Sequence, residues 1–84
     1  MTYDQIEKFL EPKHLAKHKV KIDFKTRNSI VGLFIEAPDY KELKSKNFWR
    51  IVTETHYKQW KETNDNNLAR IFNGAEMTRL SAVI

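Results

Sequence analysis

Two stretches of the chain alternate apolar and polar residues with a period of two. In an extended backbone Val20, Ile22 and Phe24 point one way while Lys21, Asp23 and Lys25 point the other. Residues 30–35 follow across the polar segment 26–29 and are apolar on both faces, with Gly32 at their middle. This pattern predicts a hairpin whose second strand carries a bulge or sharp bend at its interior glycine. Further on, residues 68–72 and 75–80 read as a second pair of strands joined at Asn73 and Gly74. Asn-Gly suits a two-residue turn because both central residues take positive φ there. Residues 48–52, rich in β-formers around Phe48 and Trp49, predict a fifth strand.

Helical spacing appears in two places. Thr2 and Gln5 have the form of a capping box, Asp4 and Glu7 put negative charge in the first turn, and Ile6, Phe9 and Leu10 form one apolar stripe. A helix over 3–10 follows. Pro12 stops it or starts a second short turn through Leu15 and Ala16, so residues 1–16 make an N-terminal helical segment. So short a helix needs a surface to dock on. Tyr57 and Trp60 mark a second helix, over about 54–63, with Thr53 or Thr55 as its cap and Asn64 as its end. Residues 64–67 are a loop. Residues 40–46 suit either one helical turn capped by Asp39 or a basic loop, and the sequence does not choose.

The predicted fold class is therefore α+β, with one domain across 1–84. Residues 19–84 form a small five-stranded bent antiparallel β-barrel, joined by an N-terminal helix and a short inserted helix. At 84 residues a chain buries only a little over roughly 60% of its unfolded surface, which sets a modest core.

Composition adds exclusions. With no Cys there is no disulfide framework, thiolate nucleophile or thiolate metal site. Hydrophobic content of 40% against 31% charged residues fits a globular chain rather than a disordered one. No apolar run reaches the roughly 20 residues a membrane span requires. The first residues lack the basic and apolar regions of a secretory signal, so a cytoplasmic location is expected. Membrane partners are not expected.

The net charge of +4 is uneven. Residues 13–27 hold Lys13, Lys17, Lys19, Lys21, Lys25 and Arg27 against Asp23 alone, a local excess of +5. Residues 1–12 carry −2, residues 28–50 carry +1, and residues 51–84 balance. A concentrated excess points to an anionic partner more strongly than a diffuse one. Lys17, Lys19, Lys21, Lys25 and Arg27 are the candidate contacts. The competing reading is a solvated lysine-rich edge that discourages strand-to-strand aggregation.

Other chemistry is sparse. His14 and His18 are spaced to share a metal on a helix, but no Glu stands in the arrangement a zinc hydrolase uses, so neither metal nor cofactor is expected. Ser29, Ser45 and Ser81 lack a nucleophile context, and Gly32 and Gly74 are isolated rather than part of a phosphate loop. An enzyme is not expected. Ten aromatic residues raise the question of base stacking. Phe24, Phe34, Phe48 and Phe72 read as core, whereas Trp49 and Trp60 are ambiguous. An exposed aromatic beside Lys21, Lys25, Arg27 or Arg50 would be a stacking site.

The order of helix, hairpin with a central Gly32, further strand and closing pair resembles the Sm-like small β-barrel family, its Hfq-like members included. Residues 20–35 lie on the family's first motif without a gap. Gly74, Met77 and Leu80 keep the spacing of its second motif, in which apolar residues fall three and six places after a glycine. The likeness covers about half the chain. It implies a barrel, RNA binding and assembly into a homo-oligomer through strand edges. Departures weigh on the RNA inference. Arg27 or Asn28 replaces the family's turn glycine, and Asp39 falls one place late for its acidic residue. Leu43 stands at its base-contacting Asn, and Asn73 at its basic residue. The expected function is a non-catalytic module binding RNA or single-stranded nucleic acid. The alternative is a protein-interaction or oligomerisation module, on an Sm-like or other SH3-like barrel.

Overall fold

The computed structural model describes residues 1–12, 14–15 and 17–83. Lys13, counted in the basic stretch, and Ala16, read as part of a helical turn, lie outside the described residues. Helix α1 spans Tyr3–Leu10 and opens on the predicted capping box. The Thr2 amide donates to Gln5 Oε1 at 3.0 Å, and the Gln5 amide to Thr2 Oγ1 at 3.4 Å. The apolar stripe then does what the spacing implied: Ile6 and Leu10 are fully buried. Burying two such side chains contributes roughly 1.5–3 kcal/mol each, which holds eight residues that would not stay helical alone.

Five strands form one antiparallel sheet: β1 (Val20–Phe24), β2 (Ile30–Phe34), β3 (Phe48–Thr53), β4 (Arg70–Asn73) and β5 (Met77–Ala82). Their order is β4-β3-β2-β1-β5. Val20 pairs with Gly32 and Ile22 with Ile30 in the first hairpin, as the alternation predicted. β1 also pairs with β5, Ile22 opposite Leu80, with a register shift between Asp23 and Phe24. Helix α2 (Tyr40–Ser45) resolves the segment the sequence left open, and α3 (Glu54–Thr63) matches the inserted helix.

The closing hairpin does not form. β4 pairs with β3 and β5 with β1, so the described pairings leave the sheet open between β4 and β5. Residues Gly74–Glu76 tighten into a 3-10 turn instead, with Asn73 Oδ1 accepting from the Ala75 amide at 2.9 Å. No described glycine has positive φ. Gly74 is required for space: its amide donates to the Asn47 carbonyl at 2.8 Å, and a Cβ there would collide with the Asn47 side chain and with Ile6 Cδ1. The positive φ values fall on Asn47 and Asn64, at the ends of α2 and α3. β4 starts later than predicted because Asp65 caps a second 3-10 turn, Asn66–Leu68.

The sheet is buried on two faces. Val20, Ile22, Phe34, Trp49, Ile51, Met77 and Leu80 make the main core with α1 and Tyr40 of α2. On the opposite face Leu33, Ile35, Val52 and Ala69 are covered by Tyr57 and Trp60 of α3. That second layer explains why residues 30–35 lack alternation: both faces of β2 are covered. Gly32 lets β3 approach, since a Cβ would lie 2.6 Å from Ile51 Cγ2 and 2.9 Å from the Val52 carbonyl oxygen.

Candidate nucleic-acid interface

β1 presents its one basic residue, Lys21, outward because Val20 and Ile22 on either side are committed to the core. Lys21 is exposed between Val31 and Ser81 on the neighbouring strands. Lys25, also exposed, follows the strand, and its amide donates to the Glu76 carbonyl at 2.9 Å. Lys17 is exposed in the turn before β1, and its amide donates to the His14 carbonyl at 3.1 Å. Among the described residues, none of Lys17, Lys19, Lys21, Lys25 and Arg27 has a carboxylate within 4 Å.

Three cations elsewhere, Lys44, Lys46 and Arg50, are paired within the fold. Lys44 lies 2.7 Å from Glu7 and 3.0 Å from Glu11, tying α2 to α1. Arg50 grips Asp39 through Nε and Nη2, at 3.0 and 2.8 Å. Lys46 and Glu42 stand 3.8 Å apart on one helical face. These pairs shift the groups involved. The Lys44 hydrogen bond holds Glu11 below its ordinary value, with the Tyr40 hydroxyl adding to it against the opposing effect of burial. The Arg50 hydrogen bond does the same for Asp39. Lys44 is raised in turn, chiefly by Glu7, and burial followed by Glu11 pushes Tyr40 up.

The five candidates do not form one cluster. Lys19 Nζ lies 5.1 Å from the centre of the Tyr57 ring, where Lys61 Nζ of α3 also comes to 5.9 Å. Lys61 was not among the sequence candidates, although its spacing from Tyr57, one helical turn, was visible. Arg27 belongs to a separate place. Its Cζ lies 5.1 Å from the Phe24 ring centre and 5.6 Å from that of Phe72. The two rings are themselves 5.8 Å apart and tilted by 35°.

Arg27 and these rings edge a cleft of about 450 Å³, completed by Thr26, Asn73, Glu76 and Ile71. The cleft sits where the 26–29 turn comes up against β4 and the 3-10 turn. Phe24 and Phe48 are half-buried and thus the two strand phenylalanines that depart from a purely core role. Trp49 is core: it is 2% exposed and its indole donates to Asn47 Oδ1 at 2.9 Å. Trp60 is half-buried on the outer layer, its indole donating to Asn66 Oδ1 at 3.4 Å.

His14 stacks on Phe9 with ring centres 4.6 Å apart and meets the His18 ring edge-on at 5.9 Å. Among the described residues no group of three or more His, Cys, Asp or Glu side chains is placed to hold a metal, and no helix is long and apolar enough to cross a membrane. Compared with protein-family models, curated proteins and solved structures, the chain matches none.

Proposed function

We propose that the protein is a non-catalytic module that binds RNA or single-stranded nucleic acid in the cytoplasm. The observation that carries this reading is the concentration of unpaired cations on and beside β1. Lys17, Lys19, Lys21, Lys25 and Arg27 follow one another closely in the chain and face no carboxylate among the described residues; the other unpaired cations, Lys8, Lys41, Lys58, Lys61, Arg70 and Arg79, are scattered along it. Unpaired cationic side chains on β1 and the segments flanking it attract phosphates without reading sequence. Aromatic rings beside two of them, Tyr57 at Lys19 and Phe24 at Arg27, supply surfaces on which bases stack. In this reading the fold is a Sm-like or SH3-like small barrel whose side between β4 and β5 is spanned by the 3-10 turn.

The test is fluorescence anisotropy of a labelled single-stranded RNA titrated with protein at several salt concentrations. Binding at low salt that weakens with a logarithmic slope of about 0.7 per phosphate contact supports the reading. Absence of binding at low salt removes it.

A second reading is a protein-interaction or oligomerisation module. It draws on the sheet order, in which β4 and β5 are each paired on one side only. Free strand edges are templates for pairing with another chain. Light scattering that gives a multiple of the 10.0 kDa chain, without RNA binding, selects this alternative.

A further inference from the structure

We propose that the cleft between the 26–29 turn and β4 is a nucleobase pocket, taking one unstacked base of a bound single strand. The inference rests on the nucleic-acid reading and adds a specific site to it. Phe24 and Phe72 give the cleft an aromatic part among polar neighbours, and Ile71, which also lines it, is 50% exposed. A volume of about 450 Å³ lies within the range of pockets that enclose small organic ligands.

Charge narrows the ligand class. Arg27 and Glu76 both line the cleft but form no ion pair, so one cation and one carboxylate remain for a ligand. Glu76 opposes a bare phosphate and Arg27 opposes a cation. A neutral planar group with its own donors and acceptors satisfies both. Asn73 Oδ1 is occupied by the Ala75 amide, which leaves the Asn73 Nδ2 protons and the Thr26 hydroxyl for the edge of a base. The Arg27 guanidinium, which lies over the Phe24 and Phe72 rings, presents a planar cationic surface on which a base of any sequence can stack.

The experiment uses the intact protein with methyl and aromatic NMR. First, uridine, cytidine, adenosine and guanosine are titrated separately. These carry no phosphate and so bypass the lysines. The expected result is a saturable movement of the Ile71 methyl and the Phe24 and Phe72 ring resonances. Second, anisotropy compares a base-containing oligonucleotide with an abasic one of the same length. The abasic strand is expected to bind at least about fivefold more weakly, the loss of one stacked base. Phe24→Leu should remove most of that difference while leaving the salt slope unchanged. Nucleosides that leave all three residues unmoved, together with equal binding of the two strands, overturn the pocket while the phosphate-binding reading stands. No binding of either strand at low salt overturns both.

Discussion

Arg27 and Phe72 meet on the side of the sheet where β4 has no strand partner: the guanidinium carbon lies 5.6 Å from the Phe72 ring centre and 5.1 Å from that of Phe24. One side chain from the first turn thereby ties β1 to β4, which belong to non-adjacent positions of the sheet. Exposed cation–π contacts are worth about 0.5–1 kcal/mol each. Arg27→Ala should lower the unfolding free energy by about 1 kcal/mol, and Arg27→Lys by less, measured by urea denaturation. Indistinguishable midpoints for all three proteins would mean that the arginine holds nothing together.

Gly74 is the tightest point of the β4–β5 corner. Gly74→Ala forces a methyl against Asn47 and Ile6 and should cost about 1–3 kcal/mol, the usual range for overpacking. Because φ at Gly74 is not positive, the cost is steric, and Ile6→Val in the same chain should recover part of it. Thermal denaturation of the single and double variants checks both statements.

Asn47 joins three parts of the molecule. Its Nδ2 donates to the Met1 carbonyl at 2.9 Å, its Oδ1 accepts from Trp49 Nε1 at 2.9 Å, and its carbonyl accepts from Gly74. Its φ of 63° also favours Asn or Gly. Asn47→Ala combines lost hydrogen bonds with backbone strain, whereas Asn47→Gly loses only the bonds. The expected order of stability is wild type, then Gly, then Ala, with Gly about 1–3 kcal/mol below wild type. An Ala variant as stable as the Gly variant would remove the backbone contribution.

Acid should destabilise the fold through the pairs that join α1, α2 and β3. Glu11 and Asp39 are both lowered on folding, from ordinary values of 4.5 and 3.8. A lowered carboxyl contributes stability that is complete above its unfolded value and lost as pH falls through the folded value. Urea midpoints should therefore begin to drop near pH 4.5 and keep falling below it. Glu11→Gln should flatten the upper part of that decline. An unchanged pH profile in this variant would contradict the role given to Lys44 and Tyr40.

Legibility in the sequence followed the range of the interactions. The capping box at Thr2, the alternation of Val20 to Phe24 and the Tyr57–Trp60 spacing are local, and α1, the first hairpin and α3 appeared where they predicted. Asn73-Gly74 misled because its geometry answers to Asn47, a distant residue whose carbonyl takes the Gly74 amide. The basic stretch was visible as charge, but its division was not. Lys19 joins Tyr57 and Lys61 of α3, and Arg27 joins Phe72 of β4, and only the tertiary fold brings these together. Equally hidden was the neutralisation of Lys44 by Glu7 of α1 and Glu11 just after it.

The central claim is that the position of charge, rather than its total, makes the interface. Two double variants with the same net charge change decide it: Lys21→Gln with Lys25→Gln, and Lys44→Gln with Lys46→Gln. Circular dichroism first establishes that both retain the fold, and anisotropy of a labelled single-stranded RNA is then followed across a salt series. The account predicts that the Lys21/Lys25 variant loses affinity and about 1.4 from the salt slope, two contacts' worth. The Lys44/Lys46 variant should bind nearly as wild type does, because its lysines already face Glu7, Glu11 and Glu42. Equal losses in the two variants would contradict it.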